Sequence, residues 1–159
     1  MITATLEDAI ALALEKFRGV QDKDGQPYIL HLLRVMMNVE QPEARIVGVL
    51  HDIVEDTQVT LTDLRKLGFS TSILEGVEFI THLSGISYCD YVIRLRSNEI
   101  ARACKIADLN DNYRLDRVAY RDGYTESDAK RLQRYVLSYQ FLRDKIDETT
   151  YRRLMQAVE

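Results

Sequence analysis

Cysteine is scarce: Cys89 and Cys104 are the two in a chain of 159 residues. Two thiols so far apart provide neither a disulfide framework nor the paired ligands of a zinc ribbon. A chain without disulfides is expected in the cytoplasm. Long apolar runs are missing as well. None approaches the roughly 20 residues that span a bilayer, so no membrane partner is expected. The opening Met1-Ile2-Thr3-Ala4-Thr5-Leu6-Glu7-Asp8 lacks a basic stretch followed by an apolar one and does not read as a secretory signal. Basic residues are not in excess. The 21 Lys and Arg stand against 25 Asp and Glu, a net charge of −4, which argues against nucleic acid as a partner. An acidic chain can still take a small anion where a divalent cation inverts the local field. The alternation and Val/Ile/Thr clustering of strands are also absent, as are repeats, low-complexity tracts and internal linkers.

What remains is a helical pattern over one domain, residues 1–159, with 46% hydrophobic and 29% charged residues. Thr5 with Asp8 three residues on marks an N-cap, followed by Leu6, Ile10, Ala13, Leu14 and Phe17 at helical spacing. After a polar loop from Gly19 to Gly25, Pro27 opens a second helix through His31. Gln41-Pro42 starts a third, read as continuous through His51 to Glu55. Thr60 caps a fourth that Gly68 stops, and Ser70 caps a fifth running to about His82. Tyr88 to Arg96, Glu99 to Asn112 and two stretches after Thr125 and Asp147 complete an all-α bundle of about eight or nine helices. The polar stretch Arg114 to Ser127 reads as a mobile loop. The expected core includes Leu14, Ile29, Leu33, Val47, Leu50, Val54, Ile73, Val77 and Ile106. Tyr88, Tyr91, Tyr135 and Tyr139 are expected to pack in or against it.

The sharpest local feature is His51-Asp52-Ile53-Val54-Glu55-Asp56-Thr57. Uncompensated charges at the buried end of a helix are expensive, and a cation is an obvious partner. On a continuous helix His51 and Glu55 share a face, as do Asp52 and Asp56. A cation at the level of His51 and Asp52 then has Glu55 and Asp56 one turn away, close enough to reach a water beside it. His31 lies in the apolar run Tyr28-Ile29-Leu30-His31-Leu32-Leu33, and Asp108 in Lys105-Ile106-Ala107-Asp108-Leu109. Two imidazoles and two carboxylates are a mixed nitrogen and oxygen set suited to Mn²⁺, Fe²⁺, Zn²⁺ or Mg²⁺. The lack of sulfur ligands disfavours a structural zinc site. His82 stands at a predicted helix end, where a cation is favourable in any case.

Three segments together resemble the successive motifs of the alarmone hydrolases. They are Gly25-Gln26-Pro27-Tyr28-Ile29-Leu30-His31, Val49-Leu50-His51-Asp52-Ile53-Val54-Glu55-Asp56-Thr57, and Lys105-Ile106-Ala107-Asp108 with Asn112 four on. These enzymes are the hydrolase domains of RelA/SpoT-type proteins and the stand-alone small alarmone hydrolases. The resemblance covers about residues 5 to 115, and the remaining length suits the stand-alone form without a synthetase domain. It implies an HD-type helical bundle and removal of the 3′-pyrophosphate of (p)ppGpp, giving GDP or GTP. It implies His31, His51, Asp52 and Asp108 as ligands of one divalent metal, normally Mn²⁺, and Glu55 and Asp56 as the catalytic acidic pair. Lys105 and Asn112 fall near the substrate's phosphates and sugar, and Lys23 and His82 would help neutralise the diphosphate.

This chain departs from the family in its first motif, where Asp22-Lys23 replaces Arg-Lys and Phe17 replaces a histidine. Leu32 stands for the common proline, and Leu109-Asn110-Asp111-Asn112 for Arg-Leu-His-Asn. The partner implied is a small anionic nucleotide; self-association is left open. Two other readings compete. One is an HD phosphohydrolase acting on another nucleotide such as (p)ppApp, and the other is a non-catalytic nucleotide sensor.

Overall fold

A computed structural model describes residues 3–114 and 126–158. The expected loop from Arg114 to Ser127 falls mostly outside the described residues. Among the described residues there are ten helical segments and no strand, apart from an isolated antiparallel bridge between Gln21 and Pro27. The segments are α1 (Leu6–Lys16), α2 (Ile29–Met37), α3 (Pro42–Leu50), α4 (Ile53–Asp56) and α5 (Leu61–Lys66). They continue with α6 (Thr71–Ile80), α7 (Tyr88–Leu95), α8 (Glu99–Asn112), α9 (Glu126–Leu142) and α10 (Glu148–Met155). None of them is long and apolar enough to cross a membrane.

The helix starts follow local chemistry. Thr5 and Thr60 form reciprocal capping boxes with Asp8 and Asp63, and Ser70, Ser87, Asn98 and Asp147 each cap through one side-chain oxygen. Pro42 occupies the first turn of α3, where its missing N–H costs nothing.

Helix α3 is the axis of the bundle. Ala44, Ile46, Val47, Gly48, Val49 and Leu50 are all buried, so the helix is apolar almost all round. It packs against α1, α2, α6 and α8. Two glycines allow the close crossings. A Cβ on Gly48 would stand 3.2 Å from the Met36 Cα, and one on Gly76 would stand 2.9 Å from Val47 Cγ2. These approaches bring α2 onto α3 at Met36, and α6 onto α3 at Val47 and onto the start of α8 at Ile100.

The third helix differs from its sequence reading. It ends at Leu50, His51 and Asp52 form a turn, and α4 resumes for a single turn. His51 Nδ1 donates to the Gly48 carbonyl oxygen at 2.8 Å. That is the acceptor an uninterrupted helix would offer to the amide of Asp52. The core expectation also needs one correction. Leu14 is 48% exposed, because α1 buries the stripe of Ala9, Ala13 and its C-cap Phe17, and Leu14 lies about 100° round the helix from Ala13. Val47, Leu50, Ile73 and Val77 are buried as expected; Ile29, Val54 and Ile106 are half-buried against the core, and Leu33 is half-buried. Tyr91 is buried, and Tyr88, Tyr135 and Tyr139 are half-buried.

The tight α2–α3 crossing predicts a stability effect. Gly48→Val should force the two helices apart and cost about 1–3 kcal/mol, the usual range for overpacking. The cost would be read as a lower urea midpoint at unchanged slope.

Candidate metal centre and its cavity

His31 is carried by α2, His51 and Asp52 by the turn after α3, Glu55 and Asp56 by α4, and Asp108 by α8. All six line one cavity of about 590 Å³. Lys23, His82, Lys105 and Asn112 line the same cavity, so the structure gathers every residue singled out in the sequence. One ligand atom from each of His31, His51 and Asp108 lies within 4.8 Å of the others. Asp52 Oδ2 stands 3.0 Å from His51 Nε2 and 3.9 Å from His31 Nε2. Asp108 Oδ1 is 3.3 Å from His31 Nε2 and 3.8 Å from His51 Nε2.

The donor set suits a cation. His51 Nδ1 is committed to the Gly48 carbonyl, so Nε2 is the ring nitrogen left to face the cavity. That Nε2 is buried and makes no hydrogen bond, although Asp52 Oδ2 is within ion-pair distance. A buried, unsatisfied nitrogen facing two carboxylates is what a divalent cation would complete.

The protonation states follow from crowding. Burial opposes the charged form of His31, but hydrogen bonds to Asp108 and Asp111, with the nearby carboxylate charges, outweigh it and push its pKa up to about 9. His51 is likewise raised, burial being overcome by Asp52 and Asp108. Asp108 is held well below the usual carboxylate range, since Lys105 and the two imidazoles offset its burial. Asp52 is lowered despite burial, chiefly by His51. Asp56 goes the other way: burial, then the charges of Asp52 and Glu55, raise its pKa.

Several residues support these six. Tyr28 donates its hydroxyl proton to Asp52 Oδ2 at 2.5 Å, and burial with the Asp52 charge keeps that phenol protonated. Phe17, where the resembled family has histidine, stacks on the Tyr28 ring at 5.1 Å. Lys105 Nζ donates to Asp108 Oδ2 at 2.8 Å, with the Tyr88 and Tyr91 rings at 5.8 and 5.5 Å. Asn112 Nδ2 donates to Asp108 Oδ1 at 2.5 Å. Glu55 Oε2 accepts the backbone N–H of His82, whose ring stacks on Tyr91 and bonds the Ile86 carbonyl through Nε2. The Asp22 carboxylate is turned into its own loop, accepting the amides of Asp24 and Gln26 at 3.0 and 2.9 Å.

Sequence reasoning missed Tyr28, Arg34 and Asp111 as parts of the site, and it overlooked α9. Arg34 follows His31 by three residues and Asp111 follows Asp108 by three, so each shares a helix face with a site residue; that spacing was the available signal. From α9, Asp128, Arg131 and Tyr135 form the far wall of the cavity.

No family model matches the chain. Among curated proteins it is 28% identical over 144 residues to a GTP pyrophosphokinase of Streptomyces coelicolor, covering 82% of this chain. It is 30% identical over 89 residues to the bifunctional (p)ppGpp synthase/hydrolase SpoT of Escherichia coli, covering 54%. It is 35% identical over 83 residues to a guanosine-3′,5′-bis(diphosphate) 3′-pyrophosphohydrolase of Spiroplasma citri, covering 50%. The chain spans 17%, 12% and 11% of the lengths of these relatives. Among solved structures, a metazoan ortholog of SpoT that hydrolyses ppGpp superposes with a TM-score of 0.73 at 19% identity, covering 99% of this chain and 95% of that one. The chain is thus similar in sequence to one part of RelA/SpoT-type proteins and shares, over nearly its whole length, the all-α HD fold of a SpoT-type hydrolase.

Proposed function

We propose that the chain is a metal-dependent phosphohydrolase that removes the 3′-pyrophosphate of (p)ppGpp. The observation that carries this reading is the convergence of His31, His51 and Asp108, with the unsatisfied His51 Nε2, beside Glu55 and Asp56 in one cavity. The similarity to curated 3′-pyrophosphohydrolases supports the substrate. His31, His51, Asp52 and Asp108 would hold one divalent cation, Mn²⁺ being the ion that the resemblance implies. Such a cation supplies Lewis acidity toward water and a phosphoryl oxygen.

The remaining chemistry belongs to the chain's own residues. Glu55 and Asp56 would orient the attacking water and accept its proton, and the raised pKa of Asp56 makes it a stronger base than an ordinary carboxylate. The water oxygen joins the phosphorus attached to O3′, that O–P bond breaks, and O3′ leaves with a proton; the products are pyrophosphate and GDP or GTP. Lys105 uses one of its three N–H donors on Asp108, leaving two for phosphate oxygens. Lys23 on the loop, and Asn112 and His82 on the walls, would complete the substrate's surroundings.

The direct test is mass spectrometry of products after incubation with Mn²⁺ and a mixture of guanine and adenine alarmones. Pyrophosphate with GDP or GTP supports the reading. Turnover of adenine substrates alone moves the activity to another nucleotide, and binding without turnover of any leaves a sensor.

Two predictions follow from the division of roles. Asp52→Asn should lose Mn²⁺ and turnover together. Glu55→Gln and Asp56→Asn should keep the metal while kcat falls about 10²–10⁴-fold, the usual contribution of general acid–base catalysis. The second prediction concerns pH. In the metal-free protein the proton on His31 must be displaced by a cation. Mn²⁺ affinity by isothermal titration should therefore rise about tenfold per pH unit for each proton displaced, between pH 6.5 and about 9. Stability without metal has the opposite sign. The protonated His31 favours the fold fully below pH 6.5, and that contribution is lost as pH rises through about 9, so the metal-free Tm should fall across the window.

A further inference from the structure

We infer that Arg34 and Asp111 form a positioning pair that fixes the tautomer and ring plane of His31. The inference rests on the reading of His31 as a metal ligand. Asp111 Oδ2 lies 2.7 Å from His31 Nδ1, and both side chains are buried. A carboxylate only accepts, so Nδ1 carries the hydrogen, and Nε2, 3.3 Å from Asp108 Oδ1, is the nitrogen left to meet a cation once its own proton is displaced.

Asp111 is itself held rigidly. Arg34 Nε donates to its Oδ1 at 2.6 Å and Arg34 Nη2 to its Oδ2 at 3.1 Å. This two-point grip sets the carboxylate plane as a single ammonium could not. It also neutralises an anion that would otherwise be costly in the interior. Arg114 Nη1 reaches within 3.9 Å of the same carboxylate.

Helix geometry explains how the unit is assembled. His31 and Arg34 sit three apart on α2, and Asp108 and Asp111 sit three apart on α8. Where the two helices pack, one turn supplies the candidate ligands and the next supplies the pair that aims one of them. The two imidazoles are therefore polarised unequally. His51 Nδ1 faces a neutral peptide carbonyl, whereas His31 Nδ1 faces a carboxylate, which makes His31 the more strongly donating of the two.

The test compares wild type, Asp111→Asn and Arg34→Lys. Dissociation constants for Mn²⁺ and Zn²⁺ are measured by titration, and the His31 tautomer by long-range ¹H–¹⁵N NMR of the metal-free protein above about pH 9. The wild type should show Nδ1–H. Asp111→Asn should populate Nε2–H and weaken both metals about 10–100-fold, the usual effect of losing such a partner. Arg34→Lys should lose less, because it keeps the charge without the two-point grip, and it carries the test if Asp111→Asn does not fold. Metal affinities within about twofold across the three proteins, or an Nε2–H wild type, would overturn the assignment. A wild type that binds no divalent cation sinks the functional reading instead, and the tautomer measurement still decides whether the pair sets the ring.

Discussion

Asp108, Asp111, His31 and His51 are buried together in the middle of a helical bundle, where an isolated charge costs several kcal/mol. Each is tolerated only because its neighbours answer it. Lys105 and Asn112 hold Asp108, Arg34 holds Asp111, and each carboxylate meets an imidazole. The arrangement is closed on every side except at His51 Nε2, which is buried and makes no hydrogen bond. The proposed chemistry grows from that incompleteness. A network satisfied everywhere would be a structural core; this one leaves a place that a cation could fill.

Backbone packing is arranged to keep this network in register. Gly48 serves twice, since its missing Cβ lets α2 close on α3 and its carbonyl takes the His51 ring. The same bond ends α3 and turns Asp52 out of helical line, so that Tyr28 can reach its carboxylate from the start of α2. His51, Asp52, Glu55 and Asp56 thus come from one short interruption and the turn of helix after it, while His31 and Asp108 come from the regular helices α2 and α8. Helices α2, α3 and α8 on one side of the cavity face the loop carrying Lys23 and the α9 wall on the other.

Substitutions relative to the resembled family acquire physical content in this setting. Phe17 for histidine adds an aromatic stack on Tyr28, the residue that bonds Asp52. Asp111 for histidine creates a carboxylate against His31, with Arg34 to balance it. Asp22 for arginine replaces a cation with a loop cap whose carboxylate binds two amides of its own turn. The changes at Asp22 and Asp111 each carry their own compensation, so neither leaves an unpaired charge in the interior.

Local features were legible in the chain because they depend on near neighbours. Caps such as Thr5 with Asp8, the start of α8 after Asn98, and the all-α class follow from spacing and side-chain chemistry within a few residues. The candidate residues His31 and Asp108 stood out for a related reason: charged and imidazole side chains in apolar runs must meet something, and the sequence names them even though it does not say where they meet. The break at His51 was not legible, because it depends on which of two donors takes the Gly48 carbonyl. The exposure of Leu14 was not, because it depends on the small-residue face by which α1 packs on α3. The partnership of Arg34 with Asp111, 77 residues apart, and the placing of Arg131 and Tyr135 on the cavity wall belong to tertiary structure alone. Helical periodicity assigns a residue to a face; only the packing of one helix on another decides what that face meets.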